Sequence, residues 1–522
     1  MLKSYNKYLV YILIIFVIIF SIALRIYSFP RDGQEYYRDF SSHFYDMKIH
    51  YENDEFPHLG ARFEMGSLFD NSEPRVPGGF FYLHFLICYK LANGNLFIAR
   101  IYNLISMLIP VLLFLYWIFK RFSLKIFAVI SSLVLMNIYY VSTNMMFYNP
   151  YITLSFSFLF FMMFCEYASS DNSFLPAMLI FPILALMGQA HFAVYYGIVP
   201  TVIVYLIIRY KKTLKNIIPL AIGVFLSFLT YLPYLVYEIR NNFDNLHKML
   251  GKASGNINKT IIYPQVHSLF MFPTNEFAPV YGGNNLSRII EFYIKNPLMY
   301  FAVTMLILSI IFVAFSFIFT AIKYFSNKEY KFINVYNSNN NKSSIIVREA
   351  FLLFILYLPV TIIFTNLANG IPGLFRYQYG AFALSFAPIM YLLYYLDSSN
   401  RNTVFNFIII FFILNTFNMG VNNIVYTKYY REPYKWEYYI DVVNAISKDA
   451  NGKEFSLEFI NFNENKDWFL DMGEAFNKTG YWNETENSNI IYYVNSTKSY
   501  SNMNMPMIFS NNIYVVYKKE VK

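Results

Sequence analysis

The stretch YLVYILIIFVIIFSIAL, Tyr8 to Leu24, contains no charged residue. It comes close to the roughly 20 apolar residues needed to cross the hydrocarbon core of a bilayer, and Phe301 to Ile322 repeats the pattern. Working outward, apolar blocks recur near 8–28, 96–119, 124–143, 149–168, 173–190, 191–209, 214–237, 298–323, 349–367, 380–396 and 403–426. With 57% hydrophobic and 14% charged residues in a chain of 522, blocks of this kind exclude a soluble globular protein. They predict an all-α polytopic membrane protein with about eleven spans.

Lys and Arg give the orientation. Lys3, Lys7, Lys120, Arg121, Lys125, Arg209, Lys211, Lys212, Lys215, Lys323, Lys328, Lys331, Lys342 and Arg401 all fall on one side of the predicted spans, which the positive-inside rule makes the cytoplasm. The formal charge of +9 is thereby a topology signal, and no nucleic-acid partner is expected. Ser21-Ile22-Ala23 weakly resembles a cleavage site, but the run continues through Leu24, Ile26 and Tyr27, so a retained first helix is the simpler account. Cys88 and Cys165 lie in different apolar segments without CxxC spacing and read as small core residues. The expected location is the cell (inner) membrane, with a cytoplasmic N-terminus.

Phe80 to Leu91 is too short to cross and carries His84 and Lys90, so it is expected to lie at the outer interface. Three segments then face outward: 29–95, 238–297 and the tail 427–522. The expected domains are a transmembrane module, 1–426, and a small extracytoplasmic α/β domain, 427–522. In the tail Glu437 to Ile446 has an amphipathic helical pattern, and Phe455 to Phe462, Ile490 to Val494 and Ile513 to Tyr517 have strand patterns. Asn337 to Asn341 reads as a low-complexity cytoplasmic linker.

Within the first outer segment, Phe40, Phe44, Met47 and Tyr51 share one helical face, and Asp39, His43, Asp46 and His50 share another about 100° away. The polar stripe has three readings: a solvated face, a metal site from His43, Asp46 and His50, or a catalytic carboxylate with Asp39 favoured. A sugar hydroxyl is a poor nucleophile at neutral pH, and a carboxylate in hydrogen-bond reach supplies the base it needs.

Downstream come Pro57-His58-Leu59-Gly60 and Pro74-Arg75-Val76-Pro77-Gly78-Gly79-Phe80-Phe81-Tyr82. An acid at the start of an interfacial helix, a Pro-x-x-Gly step and a basic-Pro-Gly element before an aromatic run resemble the bacterial GT-C glycosyltransferases. These are related to protein O-mannosyltransferases and the lipid A aminoarabinose transferase. The resemblance implies a multi-helix membrane bundle using a polyprenyl-phosphate-linked sugar donor, with Asp39 in the place of the family acid and Arg75 as a partner for the donor phosphate. Guanidinium suits that role because it pairs with phosphate oxygens in a fork.

Two departures accompany the resemblance. The family's Asp-Glu pair is Asp39-Phe40 here, leaving any second acid to Glu35, Glu64 or Glu73, and the double proline is replaced by Pro77-Gly78-Gly79. Further similar landmarks are Asn149-Pro150, Gly188-Gln189-Ala190-His191, and Leu232-Pro233-Tyr234 followed by Glu238 and Phe243. Substrate or phosphate contacts are expected from Arg75, His191, Arg376, His43, Glu64 and His267, the last in an outer segment that also holds Glu276 and Arg288. The resemblance implies transfer of a sugar to an outer glycan, lipid or protein acceptor, and a divalent metal ion at the phosphate is compatible with it. A lipid or glycan transporter and a non-catalytic envelope-assembly partner are the alternatives; the scarcity of charge within the spans weighs against the first.

Overall fold

Hydrocarbon offers no water to a backbone amide, so apolar blocks satisfy their amides internally as helices. The computed structural model describes residues 2–29, 38–63, 74–143, 147–170, 173–252, 269–274, 300–326, 342–367, 375–426, 436–460, 482–485, 488–496, 505–511 and 514–520. In chain order the described α-helices are α1 (Leu2–Ser28), α2 (Arg38–Glu52), α3 (Phe80–Leu91), α4 (Leu96–Arg121), α5 (Leu124–Leu135), α6 (Ile138–Thr143), α7 (Asn149–Ser169), α8 (Phe174–Ala190), α9 (Ile198–Ile208), α10 (Tyr210–Lys215), α11 (Ile217–Arg240), α12 (Asp244–Lys252), α13 (Tyr300–Ser326), α14 (Lys342–Leu367), α15 (Ala387–Ser398), α16 (Asn402–Tyr426) and α17 (Trp436–Ala450). They divide into two compact units: one drawn from 1–29, 56–61 and 75–424, the other from 30–55, 62–74 and 425–522.

The first unit is a helical bundle. Among the described residues seven helices, α1, α4, α7, α11, α13, α14 and α16, are long and apolar enough to cross a membrane. The other four expected spans are shorter or interrupted. Segment 124–143 breaks between α5 and α6, where the buried Asn137 amide donates to the Phe272 carbonyl (2.8 Å) and accepts from the Tyr139 N–H (3.0 Å). Segment 173–190 is the 17-residue α8 with Pro182 inside. Segments 191–209 and 380–396 begin as 3-10 turns before α9 and α15, which have 11 and 12 residues.

Helix packing is close where side chains are small. A Cβ on Gly223 of α11 would stand 2.4 Å from the Met178 carbonyl oxygen of α8, so the two backbones touch there. The short α3 packs with Phe81, Tyr82, Phe85 and Leu86 buried, and the His84 ring meets Asn103 of α4 at 3.1 Å. Cys88 and Cys165 are both buried and free.

Two ion clusters tie helix ends of the bundle together. Glu166 of α7 accepts from Trp117 (2.6 Å), from Arg121 of α4 (2.7 and 3.0 Å) and from Lys342 of α14 (2.8 Å). Glu349 of α14 takes both Arg209 donors at 2.9 Å, the Tyr205 hydroxyl at 2.8 Å and Arg348 at 3.2 Å. Lys212 donates to the Ala168 (3.1 Å) and Ser170 (2.7 Å) carbonyls, supplying the cation that the C-terminus of α7 favours. Arg121 and Lys342, which the sequence groups on one side, thus share Glu166 in the fold.

The second unit holds α2 and a four-stranded sheet of β3 (Ser456–Ile460), β4 (Ile490–Ser496), β5 (Met507–Ser510) and β6 (Tyr514–Glu520), in the order β3-β4-β6-β5; β1 (Leu59–Arg62) and β2 (Arg75–Pro77) form a separate pair. β3 runs parallel to β4, and the other two pairings are antiparallel. Its core joins Ile440, Val443 and Ile446 of α17 to Leu457, Tyr492, Val494 and Val516, and Tyr45 of α2 packs against it. In α2 the middle of each expected stripe is buried, Phe44 and Met47 on one and His43 and Asp46 on the other, while Tyr51 and His50 at its end are half-buried. The Asp46 charge is met by Arg62 at 3.0 Å. By contact, α2 groups with the tail.

Both kinds of ion pairing can be tested. Removing one member of a buried ion cluster strands the others, so Glu349→Ala is expected to cost about 3–5 kcal/mol, read as a lower unfolding temperature in detergent. In the second unit burial alone would raise the Asp449 carboxyl, but hydrogen bonds from Tyr492 and Lys518 outweigh it and hold it below the ordinary 3.8. A depressed carboxyl contributes stability above its unfolded value and loses it as pH falls through the folded one. Asp449→Asn is therefore expected to destabilise the unit at pH 7, with the difference from the parent vanishing on acidification below 3.8.

Candidate functional site

The candidate site is built on the turn from Arg75 to Phe80. Pro77 fixes φ, and Gly78 and Gly79 let the chain pass where no side chain fits. Gly78 has φ +93°, and a Cβ there would meet the Gln189 side chain at 2.5 Å. A Cβ on Gly79 would lie 1.7 Å from the Pro57 carbonyl oxygen, and one on Gly60 2.9 Å from the Gly78 carbonyl oxygen. The two motifs, 57–60 and 74–82, are thus in backbone contact.

Amide side chains hold the turn at both ends. Arg75 donates its N–H to Asn245 Oδ1 at 2.7 Å, and Asn245 Nδ2 donates to the Arg75 carbonyl at 3.1 Å. At the other end the Phe80 N–H donates to Gln189 Oε1 at 3.3 Å, while Gln189 Nε2 donates to Thr230 Oγ1 of α11 at 2.8 Å. Gln189 is 1% exposed, so its bonds are shielded from water. About two helical turns beyond Thr230, the buried Glu238 accepts the Leu246 N–H of α12 through Oε2 at 3.3 Å. The His58 ring stacks on Tyr237 with centroids 5.8 Å apart.

The neighbouring helix ends complete the surroundings. His191 caps α8, is buried, and lies with its ring centroid 5.1 Å from that of Tyr377. Gly188 sits under the Tyr195 ring, whose hydroxyl hydrogen-bonds that of Tyr231. Phe80 meets Phe156 of α7 edge-on at 5.7 Å. Stretches far apart in sequence, 57–60, 75–80, 188–195 and 230–245, therefore meet in one region of the first unit.

The predicted site residues fare differently. Arg75 and His191 belong to this constellation. Asp39 is the second residue of α2, in the second unit, and its side chain lies outside the described residues, as does that of Arg376 in the 3-10 turn Phe375–Ala381. Glu64 and His267 also lie outside them. His43 is buried in the second unit. Among the described residues no group of three or more His, Cys, Asp or Glu side chains is placed to hold a metal ion, and Asp46 is engaged by Arg62. Gln189 and Asn245 carry the turn, yet neither is among the contacts expected from the sequence. The signal for Gln189 is an amide at the end of an apolar run; Asn245 has no comparable mark in an asparagine-rich chain.

No protein-family model matches the chain, and no curated protein matches it in sequence. Its fold is of the GT-C type. Structures of ArnT from Cupriavidus metallidurans, bound to undecaprenyl phosphate (TM-score 0.52) and in the apo state (TM-score 0.47), are each 10% identical to it and cover 97% of both chains. The likeness to the lipid-bound form establishes the architecture.

Gln189→Leu keeps the bulk but leaves the Phe80 N–H without its acceptor and the Thr230 oxygens without the Gln189 donor. The expected cost is about 1–3 kcal/mol, seen as a lower unfolding temperature and faster amide exchange at 75–82.

Proposed function

We propose that this chain transfers a sugar from a polyprenyl-phosphate carrier to an acceptor outside the cytoplasm. The observation that carries the reading is the convergence of three separated stretches on the Arg75–Phe80 turn, in a fold shared with a protein solved with undecaprenyl phosphate. A polyprenyl tail partitions into hydrocarbon at about 0.8 kcal/mol per CH₂, which holds the donor phosphate at the headgroup level. Following the asymmetry of Lys and Arg, the N-terminus is placed in the cytoplasm and the second unit outside the cell membrane.

In this reading Asp39 takes the proton from the acceptor hydroxyl as its oxygen bonds to the anomeric carbon. The bond from that carbon to the phosphate oxygen breaks, and polyprenyl phosphate leaves with the electron pair. Arg75 binds the phosphate and takes up the developing charge, with Arg376 as a second cation. His191 and, from the outer segments, Glu64, His267 and His43 are assigned to substrate contact on sequence grounds. A divalent ion at the phosphate is compatible with the chemistry; among the described residues no three His, Cys, Asp or Glu side chains are grouped to hold one.

The test is turnover of a polyprenyl-phosphate sugar by the purified protein. Asp39→Asn should express normally and lose roughly 10²–10⁴ in kcat. Arg75→Ala should raise the donor KM, with Arg75→Lys in between because an ammonium lacks the fork. Unchanged turnover in Asp39→Asn would remove the base from the mechanism, and donor movement across a vesicle without transfer would make the chain a transporter.

A further inference from the structure

Arg75 is held in an unusual way. The N–H and C=O of one strand residue point to the same edge of the strand, where a neighbouring strand normally takes both. Here a single side chain, Asn245, takes both, at 2.7 and 3.1 Å, and it is 4% exposed.

Asn245 is itself placed at a cost. It stands in the first turn of α12, and the corner that leads there from α11 contains two successive left-handed residues, Asn242 (φ 53°) and Phe243 (φ 58°). Such a backbone is unfavourable for asparagine and more so for phenylalanine, and persists only where the surroundings over-determine it. Glu238 provides that constraint. Its carbonyl accepts the Phe243 N–H at 2.7 Å and its carboxylate accepts the Leu246 N–H at 3.3 Å. The corner turns the start of α12 onto β2.

We infer that Asn245 is a positioning residue for Arg75: it fixes the backbone from which the guanidinium projects, so that the donor phosphate meets a cation already held in place. The inference rests on the reading of Arg75 as a phosphate contact. It also makes the Glu238–Asn245 corner, in the second outer segment, part of the donor site through the backbone. Pre-organisation of this kind strengthens binding by reducing what must be ordered when the ligand arrives.

The experiment is equilibrium binding of undecaprenyl phosphate to the full chain in lipid nanodiscs, with Arg75→Ala, Asn245→Ala and the double variant. Each single change should weaken binding roughly tenfold, and the double variant should bind no more weakly than the weaker single, because Asn245 acts through Arg75. Ser398→Ala, which alters an exposed side chain bonded to the Tyr395 carbonyl at the end of α15, should bind as the parent does. Exchange of the Arg75 amide should speed up in Asn245→Ala while the rest of the bundle stays protected. Parent-like binding by Asn245→Ala, or additive losses in the double variant, would overturn the positioning role. Parent-like binding by Arg75→Ala would instead overturn the phosphate reading. If Asn245→Ala does not fold, Asn245→Asp keeps the acceptor for the Arg75 N–H and should bind with an intermediate loss; no loss there would sink the inference.

Discussion

A charge buried in a medium without water must have a partner, and much of this bundle's organisation reflects that constraint. Glu166 and Glu349 each gather several donors from different helices, tying α4, α7, α9 and α14 together through side chains that would otherwise be intolerable there. Truncating one partner exposes the desolvation that the others then suffer alone. The ends of these helices are therefore coupled to each other.

The turn at Arg75–Phe80 uses a different chemistry. It is held by neutral amides, Asn245 and Gln189, and by glycines at which backbones meet. Neutral donors and acceptors fix the turn itself, and the buried carboxylate of Glu238 acts one step removed, on the corner that holds Asn245. Carboxylates thus hold the far helix ends and the corner before α12, and amides hold the turn that carries Arg75.

Long spans are legible because about twenty successive apolar residues match the thickness of hydrocarbon and little else in a folded chain demands them. Interrupted ones are less so, since a single Asn137 or the turn before Gly197 shortens a helix without altering the apolar run around it. The tail's helix and three of its strands are readable by period, whereas β5, four residues long, is not. The landmarks around Arg75 are visible as separate motifs. What joins them is not, because Asn245 and Thr230 look like any other polar residue until the chain folds. The surroundings of α2 are hidden for a related reason: Asp46 finds Arg62 and Tyr45 finds the core of the tail, and neither meeting is written in local spacing.

The helices of the first unit differ in how much surface they leave outside. Only 22% of the apolar window of α11 and 28% of that of α13 is buried, against 78% for α7. Acyl chains thus lie against α11 and α13, and a change in lipid length is felt there first, as tilt or strain of about a fraction of a kcal/mol per Å of mismatch. Because α11 ends at Arg240, two residues past Glu238, and leads into the corner that holds Asn245, hydrophobic thickness has a mechanical route to the strand that carries Arg75.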